Sequence, residues 1–64
     1  MRLSVDAYET KVFDSKRFSL DSIWTTKPEV YRRKLLLKQN ERLVRTVKGR
    51  VRQYNAYSIY IRLK

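Results

Sequence analysis

Proline enters an α-helix without cost only in its first turn, because it has no N–H to give and its ring fixes φ. The one proline of this chain, Pro28, stands two residues after Thr26 and one before Glu29. Thr26 can cap a helix with its hydroxyl, and Glu29, three residues on, can reach back to close a capping box. A carboxylate in the first turn also suits the positive end of the helix dipole. The spacing therefore predicts a helix that begins at 27. Trp24, just before it, is expected to be a core or staple residue at the helix entry.

From that start the apolar pattern is helical. At 3.6 residues per turn, Leu36, Leu37, Leu43, Val44 and Val47 fall within an arc of roughly 120°. The only glycine, Gly49, is a natural C′ residue. One helix over about 27–48 is the expectation. The competing reading ends the helix near Asn40, makes 42–47 a strand, turns at Lys48-Gly49 and returns through 50–54. On the long-helix reading Lys34, Lys38, Arg42 and Arg45, spaced four, four and three apart, form one cationic ridge.

Residues 57–63, YSIYIRL, alternate as a half-buried strand. Tyr57, Ile59, Ile61 and Leu63 take the inner face; Ser58, Tyr60, Arg62 and Lys64 take the outer one. Asn55-Ala56 reads as the turn before it. Residues 2–8 also alternate, 14–17 read as a turn, and 18–24 read as a second short strand or a loop pinned by aromatics. The fold class that follows is α+β: a single small domain over 1–64. A short antiparallel sheet of N-terminal strand(s) plus the C-terminal strand 57–63 packs on one basic amphipathic helix.

Charge is distributed unevenly. Residues 1–26 hold four basic and four acidic groups and are neutral; residues 27–64 hold twelve basic groups against Glu29 and Glu41. The whole net charge of +10 thus sits in the second part. A field of one sign concentrates polyanions, and this charge exceeds what solubility alone asks of a small domain. A chain of 64 residues buries only about 60% of its unfolded surface, so its core is marginal. With neither cysteine nor histidine it has no disulfide, no ordinary zinc site, no thiol nucleophile and no imidazole base. No glycine-rich phosphate loop is present. Asp6, Glu9, Asp14 and Asp21 have no metal-ligand spacing and read as solvated acids. No enzyme, cofactor or metal is expected.

The function these features imply is that of a small nucleic-acid-binding protein, of a viral or plasmid-borne kind, without catalytic activity. Lys34, Lys38, Arg42 and Arg45 would contact phosphates, with Arg50, Arg52 and Arg62 extending the surface and Tyr60 stacking on bases. Nothing in the sequence separates DNA from RNA. The alternative is a structural or assembly subunit of a virion or ribonucleoprotein complex. It would set its basic face against an acidic protein surface or associate with itself. An anionic membrane surface is a third reading, weakened because the apolar arc is needed for the core. The longest apolar runs are three residues, far below the ~20 a spanning helix needs. No apolar signal segment opens the chain. The expected place is cytoplasm, nucleus or virion interior, not secreted.

Overall fold

The structure is a computed structural model and describes residues 1–4 and 9–63. Its elements run β1 (Arg2–Leu3), β2 (Thr10–Phe13), β3 (Lys16–Trp24), α1 (Lys27–Gln39), β4 (Arg42–Val51) and β5 (Tyr54–Leu63). One helix packs on a five-stranded antiparallel sheet, so the domain is α+β. Residues 5–8 of the expected first strand, and Lys64 at the end of the last, lie outside the described residues.

The helix begins where Pro28 and Glu29 place it. The Thr26 hydroxyl, however, donates to the Glu29 carboxylate instead of accepting a backbone N–H, and Glu29 also pairs with the Met1 ammonium group. The far boundary corrects the long-helix expectation. α1 stops at Gln39, and the Asn40 amide reaches back to the Leu36 carbonyl, Nδ2 to O 3.1 Å. Glu41 then takes a left-handed backbone, φ 58°, and its N–H closes on the Lys38 carbonyl. Beyond it the chain is extended. Val44, Thr46, Val47 and Val51 lose side-chain freedom in a helix and fit a pleated strand. Gly49 is therefore mid-strand, opposite Ala56, and not a helix cap. The reversal comes at Arg52-Gln53, where Arg52 has φ 56°. Both the Lys48-Gly49 turn and the Asn55-Ala56 turn are overturned, since those residues lie inside β4 and β5.

The strand order is β1-β3-β5-β4, with β2 also on β3. β1 pairs the end of β3 at Ile23 and Trp24, and β2 pairs its beginning through Lys16–Ser19. The β2–β3 turn is two residues, Asp14 at φ 50° and Ser15 at φ 64°, the left-handed pair that matches strand twist in tight hairpins. β5 pairs β3 on one side and β4 on the other. α1 carries the chain from β3 across β5 to β4, and β4 has no second neighbour among the described strands.

Paired residues share a face, so the register sorts the sheet into two cores. Under the helix, Val30 and Leu37 close on Ile59, which is 0% exposed, with Trp24, Val44, Tyr57 and Ile61 around them. These two helical residues, seven apart, are the buried stripe of α1. The expected apolar arc is corrected accordingly: Leu36 is 47% exposed, and Leu43 and Val47 alternate to the other side of the sheet. On that side Leu3, Ile23 and Ala56 form a second cluster. Farther along, Phe13 meets Phe18 edge-on at 5.3 Å and Tyr60 at 5.6 Å. Both faces of β5 are therefore covered over their middle.

A polar chain ties helix to sheet. The register of β3 against β5 slips between Leu20 and Ser22, leaving Asp21 as the extra residue. Its carboxylate accepts from Arg33 on α1 and from the fully buried Ser22 hydroxyl, which in turn accepts the Trp24 indole N–H at 2.7 Å. Trp24 thus belongs to the core, while its other face carries the Arg2 guanidinium at 5.5 Å. Asp21 is not the solvated acid the sequence suggests.

Candidate nucleic-acid interface

Because the helix ends at Gln39, the expected ridge is split between two elements. Lys34 and Lys38 stay on α1, while Arg42 and Arg45 lie on β4. Arg33 reaches β3, so it marks that side of the helix. Val30 and Leu37 point inward. Lys34 is about 100° farther round from Arg33, so it falls with Tyr31, Leu35 and Lys38 on the β4 side. On β4, alternation puts Arg42, Lys48 and Arg50 on the helix-bearing face, opposite Leu63, Tyr57 and Asn55. The structure therefore brings Lys34, Lys38, Arg42, Lys48 and Arg50 along one flank.

Arg45 is corrected away from that set. It sits on the other face, opposite Tyr60, and pairs with Asp14 at 2.8 Å. Both partners are well exposed, so the pair is worth little in stability. Arg52 donates to the Ser4 carbonyl at 3.1 Å, and Arg62 lies 3.5 Å from the Arg17 carbonyl. Tyr60 is the larger correction. It is 4% exposed, and its hydroxyl donates to Glu9 at 3.2 Å. Burial, joined by the Glu9 charge, pushes its phenol above the ordinary 10.0. Its ring offers no open face for a base. The alternation that placed it outward is right about its side of the sheet, but Phe13 and Glu9 cover Tyr60 there.

The tyrosine that is exposed on the hairpin is Tyr54, just past the turn. Sequence reasoning also left Lys48 out of the site. The signal was present in the acid count, since no aspartate or glutamate follows Glu41. Residues 42–63 hold Arg42, Arg45, Lys48, Arg50, Arg52 and Arg62 with no opposing charge of their own.

Where β4 begins, its open edge borders a cleft of about 540 Å³. The β2–β3 hairpin supplies Phe13, Asp14, Lys16 and Phe18; the helix end supplies Lys38 and Glu41; β4 supplies Arg42 through Arg45. No described helix is long and apolar enough to cross a membrane. Comparison of the chain with protein-family models, curated proteins and solved structures finds no match.

Proposed function

We propose that this is a non-enzymatic nucleic-acid-binding protein whose contact surface is the flank shared by β4 and α1. The observation that carries this reading is the alignment of Lys34, Lys38, Arg42, Lys48 and Arg50 on one side of the domain, on and beside a hairpin without acids. A two-stranded ribbon and its flank suit a nucleic-acid backbone, because cations at strand spacing meet successive phosphates. Exposed Tyr54 adds an aromatic surface near the turn.

Titration of a short duplex at several salt concentrations tests the reading. Five phosphate contacts give a slope of about −4.5 in log K against log salt. Lys48→Gln with Arg50→Gln should make that slope shallower by up to about two units, with folding retained. Binding that is indifferent to salt overturns the phosphate mechanism.

A second reading, an assembly subunit that docks on an acidic protein surface, draws on the outward side of α1. Tyr31, Leu35 and Leu36 are exposed there beside Arg32 and Lys38. Its test is whether an acidic protein partner, and not nucleic acid, orders or shifts this helix.

A further inference from the structure

We infer that the cleft between the β2–β3 hairpin and the start of β4 holds one unpaired nucleotide, so that the preferred nucleic acid is single-stranded. The inference rests on the nucleic-acid reading above and names the substrate of that surface.

Three features of the cleft carry it. Its volume, about 540 Å³, lies in the range of ordinary ligand sites. Its wall is aromatic: Phe13 is only half-buried and packs edge-on with Phe18 and at a tilt with Tyr60, so its position is fixed before anything binds. Its rim is cationic and asymmetric. Lys16, Lys38, Arg42 and Arg45 stand against Asp14 and Glu41, four charges against two. A phosphate suits the cations. The carboxylates suit the other end of a nucleotide, because they accept hydrogen bonds from N–H donors on the base edge, the N3–H of thymine and uracil among them. Asp14 is already held by Arg45, leaving Glu41, at the left-handed corner after the helix, as the acceptor. A base inside a duplex is stacked and paired and cannot enter such a cleft; an unpaired base has its π-face free. Arg42 belongs both to this rim and to the β4 flank, so a strand bound along the flank reaches the cleft without a break.

The test compares a single-stranded ten-mer of thymidine or uridine with a short duplex, using the intact chain. The wild type should bind the single strand about ten-fold or more tightly than the duplex at equal salt. Phe13→Leu should remove most of that preference and leave duplex binding unchanged. Because Phe13 also packs on Tyr60, a second measurement uses the unaltered protein. Uridine or thymidine monophosphate should shift the amide signals of Phe13, Lys16, Lys38, Glu41 and Arg42, and not those of Arg52 or Tyr54. Equal affinity for both oligomers, or monophosphate shifts confined to the hairpin turn, overturns the inference while the reading of the β4 flank stands. Loss of binding to both oligomers in the wild type overturns the reading itself.

Discussion

Arg33 grips the Asp21 carboxylate with two nitrogens, Nε to Oδ2 at 2.9 Å and Nη2 to Oδ1 at 3.0 Å. This fork joins the middle of α1 to the bulge in β3. Burial would raise the Asp21 carboxyl, but the hydrogen bonds from Arg33 and Ser22 outweigh it and hold the group below its ordinary 3.8. A depressed folded pKa gives stability that is present above the unfolded value and is lost as pH falls through the folded one. Wild-type stability should therefore drop below about pH 3.8. Asp21→Asn should be less stable at neutral pH by about 1–2 kcal/mol and lose less on acidification. Thermal melts of both proteins between neutral and acid pH check this; parallel curves would remove the fork from the account.

Tyr60 predicts the opposite arm of the pH curve. Its phenol is raised by burial and by Glu9, so the folded state resists ionisation. The contribution is fully present below the unfolded value of 10.0 and is lost as pH rises toward the folded one. Tyr60→Phe keeps the ring against Phe13 and should flatten the alkaline decline. Denaturant midpoints at rising pH report it, and an unchanged decline would locate alkaline sensitivity elsewhere.

Leu36 and Leu37 are neighbours with unequal roles. Leu37 is 6% exposed and packs toward Ile59, while Leu36 is 47% exposed. Leu37→Ala should cost about 2–5 kcal/mol. Leu36→Ala should stay within about 0.5 kcal/mol. Comparing the two denaturation midpoints would refute the helix orientation if the order were reversed.

The β2–β3 turn holds two left-handed residues and no glycine, with Ser15 at φ 64°. Ser15→Gly removes a steric penalty of about 1 kcal/mol per residue at such an angle. The variant should melt higher than wild type. A lower melting point would mean that the greater freedom of glycine in the unfolded chain outweighs the relief.

The readable parts of the sequence were those where local chemistry decides. Pro28 and Glu29 marked the helix start, and the alternation around Ile59 marked the last strand. The helix end was harder, because Leu43, Val44 and Val47 satisfy a helical arc and a strand equally well. Pairing with β5, whose partners for these three are Arg62, Ile61 and Ser58, decided it. Tyr60 failed for a related reason: alternation tells which face a residue takes but not whether side chains from elsewhere in the chain, here Phe13 and Glu9, close over it. In the site, Lys34, Lys38 and Arg42 remain together because the turn at Asn40-Glu41 folds β4 back beside α1. Arg45 leaves them because strand alternation replaces helical spacing.

The placement of β5 has a consequence for how the molecule is made. The strand that joins β3 to β4, and that carries the fully buried Ile59, comes after every other described element in chain order. Until it has been synthesised, β3 can pair only with β1 and β2, β4 has no partner among the described strands, and Val30 and Leu37 of α1 lack Ile59, Tyr57 and Ile61 to close on. The nascent chain would carry its basic stretch unfolded, with polyanions free to engage it, before a closed domain exists. Folding and first capture of a ligand would then compete in time, and the rate of closing β5 into the sheet, a non-local step, would set which comes first.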